Sequence, residues 1–249
     1  MGERLPERVE LTDVPFFPQD AYQCGPAALA TMLNQRGVLT TPGALKDKVY
    51  IPSREGSLQV EMVAAARNHE MLVYPLQPRL EAVLAEVAAG NPVLVLQNLA
   101  FDFYPQWHFA VVVGYDRRER TLILRSATTR RLEDSFASFD RTWERGGRWA
   151  VVTVPPERLP AQADVHTWMK AANDLEQTGN AQAARRAESL AQIRYREGSE
   201  DFLTLLDAQR TQLVADDALA AALEASRSPG GRPARRAMGL SARRCPYPR

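Results

Sequence analysis

In VPFFPQDAYQCGPAALATML, residues 14–33, a thiol at Cys24 stands five residues after Gln19 and directly before Gly25-Pro26, where an apolar run begins. A thiol attacks as its thiolate, and an ordinary cysteine is mostly protonated at neutral pH. A helix start favours the charged form, because its unpaired N–H groups and the helix dipole stabilise negative charge. The run from Cys24 has helical spacing through Ala27, Ala28, Met32 and Leu33. Pro26 falls in the first turn, where its missing N–H costs nothing, and Gly37 ends the helix. Gly25 is expected to leave room for a substrate backbone. The Cys24 N–H is expected to bind an oxyanion, with the Gln19 side chain adding a donor to the same hole.

A nucleophilic thiol also needs a base. The chain holds three histidines. His69 sits in a polar helical setting and His166 lies beyond a Pro-rich stretch, which leaves His108, beside Trp107 at the head of the most apolar strand. Asp116 cannot orient His108, because eight residues of strand separate them by roughly 26 Å. If the strand turns through Asp116–Glu119 and returns over 120–126, the position opposite His108 falls near 126–127. Of Ser126, Ala127 and Thr128, only Ser126 is both polar and well positioned. Its hydroxyl can accept from or donate to an imidazole nitrogen, but it brings no charge. Blander readings stand beside these: Cys24 as a small buried hydrophobe, His108 as a histidine satisfied at a strand end, Gln19 as a loop glutamine and Ser126 as a plain strand-end serine.

The elements that must position these residues follow from periodicity. Residues 1–13 read as an extended arm. Thr41-Pro42 starts a second helix, Ser57 is expected to cap a third, MLVYPL (71–76) reads as a strand and PRLEAVLAEVAAG (78–90) as a fourth helix. Then PVLVLQ (92–97), WHFAVVVGYD (107–116), RTLILRS (120–126) and RWAVVTV (148–154) form short β-branched runs between turn-rich pieces. Helices followed by an antiparallel sheet predict an α+β fold over residues 1–160. PPERLPAQAD (155–164) reads as a linker. A helical extension is expected over 161–226, with Ser199 as an N-cap and a stripe through Phe202, Leu205, Leu206, Gln209 and Leu213. The tail at 227–249 carries seven arginines and no acid, and reads as disordered.

PQDAYQCGPAALATML followed by WHFAVVVGYDRRERTLIL resembles the papain-like cysteine peptidases of the double-glycine-leader (bacteriocin-processing) family, and more narrowly its stand-alone bacterial members with a helical C-terminal extension. The similarity covers about residues 11–160. It implies a papain-like fold, with Cys24 as nucleophile, His108 as base, Gln19 as oxyanion residue and cleavage after small residues such as glycine. It also implies relatives exported to the bacterial periplasm or envelope. The family usually has an Asp before a Pro where this sequence has Ser126-Ala127, a departure that bears on activity and not on fold. ANDLEQTGNAQAARRA, within 166–187, resembles the opening of a tetratricopeptide helix pair, and 191–220 is similar to a periplasmic helix of TolC-like efflux proteins. A single such piece forms no channel, and a fused or shortened reading frame is the expectation for so partial a match.

The totals exclude several classes. A net charge of +1 gives no global pull toward nucleic acid. No apolar run is long enough to span a membrane, and the first residues lack the apolar core of a signal peptide. Cys24 and Cys245 lie too far apart in sequence and context to suggest a disulfide framework or a zinc site, and no nucleotide loop occurs, so no cofactor is expected. The expected partner is a peptide or protein substrate, with a protein partner conceivable through the C-terminal helices. The leading expectation is a cysteine peptidase acting through a thioester. The alternatives are a peptide-binding module of the same fold with weakened catalysis, and a non-proteolytic thiol acyl-transfer enzyme.

Overall fold

A computed structural model of the chain describes residues 5–18, 24–51 and 56–196. Gln19, Ser199, the stripe from Phe202 to Leu213, Cys245 and the arginine tail lie outside the described residues. Strand β1 (Arg8–Glu10) is followed by three helices: α1 (Cys24–Gln35), α2 (Pro42–Val49) and α3 (Gln59–Arg67). Next come β2 (Leu72–Pro75), α4 (Leu80–Ala88), β3 (Val93–Asn98), β4 (Trp107–Asp116), β5 (Thr121–Ser126) and β6 (Thr129–Ser135). The described chain ends with α5 (Phe136–Arg145), β7 (Ala150–Val154), α6 (Val165–Gln177) and α7 (Ala181–Arg196). Among these residues no helix is long and apolar enough to cross a membrane.

The strands form one antiparallel sheet in the order β2-β7-β3-β4-β5-β6, with β1 pairing the far end of β4. Strand alternation splits its side chains between two cores. Phe109, Val111 and Val113 of β4, with Leu94, Leu96 and Ile123, pack under α1, α2 and α3. Ala110, Val112 and Tyr115, with Val93, Val95 and Leu124, face the opposite way and pack with Phe139 and Trp143 of α5 and the apolar faces of α4, α6 and α7. The sheet is therefore covered on both sides, which is why β3 and β7 are buried along their whole length.

Three local expectations are corrected. Ser57 does not cap α3: the helix begins at Gln59 after Leu58, with no side-chain cap. Gly25 does not open space for a ligand backbone. A Cβ built there would lie 2.2 Å from Ser57 Oγ, so the missing side chain admits Ser57 itself. The Pro-rich stretch 155–164 is laid down on the body of the fold. Ala161 N and Asn91 Nδ2 both donate to the buried Glu86 carboxylate, Arg158 donates to the Ala89 carbonyl, and Asp164 N donates to Tyr74 Oη. Burial pushes the Glu86 carboxyl above its usual range. Burial, with Arg158 nearby, pushes the Arg36 guanidinium down to about 10. Strand β6 and helix α5 had no counterpart in the elements expected from sequence.

Candidate active site

Cys24 is the first residue of α1 and is 6 % exposed. Its helix forms because Ala27, Ala28 and Ala30 carry high helical propensity and Pro26 sits in the first turn. Arg36, just past the C-terminus, fixes the helix direction. It donates through Nε to the Thr153 carbonyl of β7 and through Nη2 to Asn91 Oδ1, just ahead of β3, each at 2.8 Å. The helix therefore ends beside the start of β3. Cys24 stands at the other end of this 12-residue helix. Ahead of the helix, the Val14 carbonyl accepts from the Arg125 side chain, one residue before Ser126.

His108 is the second residue of β4 and is 1 % exposed. Its Nε2 lies 2.8 Å from Ser126 Oγ, a buried contact whose donor depends on the imidazole tautomer. Ser126 is the last residue of β5, and β5 and β6 join through Ala127 and Thr128. Ala127 has φ 50°, a left-handed conformation closed to proline, so the Asp-Pro expected from the family cannot be accommodated in this turn as it stands. The other two histidines sit elsewhere. His69 follows α3, where burial, with Lys48 nearby, pushes it below its usual range. His166 is exposed on α6.

The neighbourhood of His108 is polar and satisfied. Gln97 of β3 pairs with it across the strands and donates through Nε2 to Thr142 Oγ1 on α5 at 2.7 Å. Asn98 Oδ1 accepts from the main-chain N–H groups of Ala100 and Gln106, which fixes the loop leading into β4. By alternation, Trp107 and Phe109 lean toward α1, while His108 and Gln97 lean toward α5. The structure brings His108 and Ser126 together, and Cys24 heads α1, which packs on the face of the sheet that carries Phe109 and Val111. Gln97, Asn98 and Arg125 were not singled out from sequence; the polar pair closing the apolar run PVLVLQN was the available signal for the first two.

A thiol at the start of a helix packed on an antiparallel sheet, with a histidine at the head of a central strand, is the arrangement of the papain-like cysteine peptidase class. The model of the Peptidase_C39 like family matches residues 11–151. The chain belongs to that family, whose kind of function is cysteine-type peptide hydrolysis. A candidate C39-like peptidase from Bacillus anthracis is similar over 60% of this chain and 98% of its own, at 18% identity and a TM-score of 0.50, a likeness of fold. A double glycine motif protease from an AMS/PCAT transporter, solved with its leader peptide, is 19% identical over 57% of this chain and 91% of its own, with a TM-score of 0.43. The peptidase domain of Streptococcus ComA, a bi-functional ABC transporter of a quorum-sensing pathway, is 17% identical over 57% of this chain and 98% of its own, with a TM-score of 0.45. No curated protein matches the chain.

Proposed function

We propose that the chain hydrolyses peptide bonds with Cys24 as nucleophile and His108 as base, and that Ser126 holds the imidazole. The observation that carries this reading is the 2.8 Å contact between His108 Nε2 and Ser126 Oγ. With Nε2 engaged by the hydroxyl, Nδ1 is the nitrogen that exchanges a proton with the thiol. The thiolate attacks the scissile carbonyl carbon, and the resulting oxyanion is met by the N–H at the start of α1 and by the Gln19 amide. The tetrahedral species collapses as His108 passes its proton to the leaving amine, and a thioester remains on Sγ. Water, deprotonated by His108, attacks the thioester and frees the acid. Substrates with glycine before the scissile bond are the first to try, because the family resemblance of the Cys24 and His108 segments implies cleavage after small residues.

A second reading is a peptide-binding module of the same fold. The neutral Ser126 favours it, since a hydroxyl stabilises an imidazolium less than a carboxylate does. One experiment separates the readings. Wild type and Cys24→Ala are exposed to a peptide fluoromethylketone and to Gly-Gly peptides. Cleavage that vanishes in Cys24→Ala supports the peptidase, with an expected loss of at least about 10³-fold. Labelling without cleavage points to another acyl transfer. Peptide binding with neither leaves the binding module.

A further inference from the structure

Arg125 is 4 % exposed, yet its hydrogen bonds among the described residues all go to main-chain carbonyls. Nε and Nη2 both donate to the Val14 oxygen, at 3.3 and 3.2 Å, and Nη1 donates to the Arg130 oxygen at 2.7 Å. Val14 is itself buried, 1 % exposed. Taking a guanidinium out of water is costly, and an apolar side chain of similar length fills such a place at less cost. Burial accordingly pushes the Arg125 guanidinium below its usual range. What the arginine adds is geometry, because a planar fork holds an acceptor in one position.

That acceptor lies ten residues before Cys24, on the segment that leads to Gln19 and into α1. Arg125 pairs with Val111 and so faces the α1 side of the sheet, while its neighbour Ser126 reaches His108 on the other. Two consecutive residues at the end of β5 thus contact the proposed base and the chain at Val14. We infer that Arg125 is a positioning residue, which holds the chain at Val14, ahead of the nucleophile, against the strand end that carries the His108–Ser126 pair. The inference rests on the peptidase reading above. A displacement of about 1 Å in such a site lowers rates by up to roughly a hundredfold.

The test uses the full chain in a Cys245→Ser background, so that Cys24 is the only thiol. Arg125→Met and Arg125→Lys are compared with the parent by hydrogen exchange over residues 11–18, by inactivation kinetics with the peptide fluoromethylketone and by kcat and KM on a cleaved peptide. For Arg125→Met we expect exchange about tenfold faster and kinact and kcat about tenfold lower, with KI and KM within about twofold. Arg125→Lys, which keeps the charge without the fork, is expected to fall about threefold. If the Met variant does not fold, the Lys variant is read alone. Parental exchange, or parental kinact in a folded variant, overturns the inference while the peptidase reading stands. A loss that only tracks the folded fraction overturns it too. A parent that neither labels nor cleaves removes the peptidase reading, and the inference with it.

Discussion

On the proposed mechanism, the hydroxyl at position 126 sets how firmly the His108 imidazole is held. A serine can orient the ring but would leave its positive charge uncompensated once it took the thiol proton. A carboxylate there would do both, and at 5 % exposure it would interact through little water. Ser126→Asp is therefore expected to raise kcat/KM by about tenfold on a cleaved peptide. An unchanged rate in a variant with an unchanged melting temperature removes Ser126 from the site. Counting across the short hairpin from sequence put 126–127 opposite His108; a bulge between Val112 and Gly114 instead sets Val111 opposite Arg125, so Ser126 meets the ring on the diagonal. Arg125 could not be found that way. It is one arginine among several in RTLILRSATTRR, and only coordinates show its guanidinium turned inward. Gln19, whose amide the proposed mechanism uses, lies outside the described residues and rests on its spacing from Cys24.

At the scale of elements, the start of α1 depends on a close approach. The Gly25 backbone lies so near the segment ahead of α3 that an added Cβ would sit 2.2 Å from Ser57 Oγ and 2.5 Å from Ser57 Cβ. Gly25→Ala gains about 1 kcal/mol of helical propensity, but overpacking costs about 1–3 kcal/mol. We expect a net loss of stability in urea unfolding, and its relief in a Gly25→Ala, Ser57→Gly double variant. A Gly25→Ala protein as stable as the parent would show that α3 gives way freely. The helices and the four apolar strands were legible because their periods of 3.6 and 2 are strong. Strand β6, TRRLEDS, was not: it is an edge strand, largely exposed, with only Leu132 apolar. Helix α5 does carry a stripe at Phe136, Phe139 and Trp143, but Ser, Asp and Arg between these positions give the stretch the composition of a loop.

Across the whole molecule, the sheet has one core toward α1 and another that it shares with the last two helices. Trp168 is 1 % exposed, its ring lies 6.5 Å from that of Tyr74, and its Nε1 donates to the Ala187 carbonyl. Arg67 of α3 is bonded to Asp174 of α6 at 2.8 Å. The Asp164 carboxylate caps α6 by accepting from Thr167 N, and that bond holds its pKa below the usual carboxylate range. A depressed acid contributes stability above its unfolded value, about 3.9, and loses it as pH falls through the lower folded value. Asp164→Ala is thus expected to cost about 1 kcal/mol at pH 7, with a smaller difference from the parent at pH 3. Equal differences at both pH values, measured by urea unfolding, would dissociate the cap from the charge.

Composition alone made 155–164 look like a linker, because prolines and small polar residues mark linkers whether or not they lie against a surface. Its contacts with Glu86, Ala89 and Tyr74 have a practical corollary for anyone who trims the gene after Pro160. The shortened product would bare an oily wall of Leu72, Tyr74 and Val154, where indole and alanine methyls had been seated. It is expected to clump at micromolar concentration and to light up an environment-sensitive dye such as ANS, while a version ending after residue 196 stays dispersed and dark.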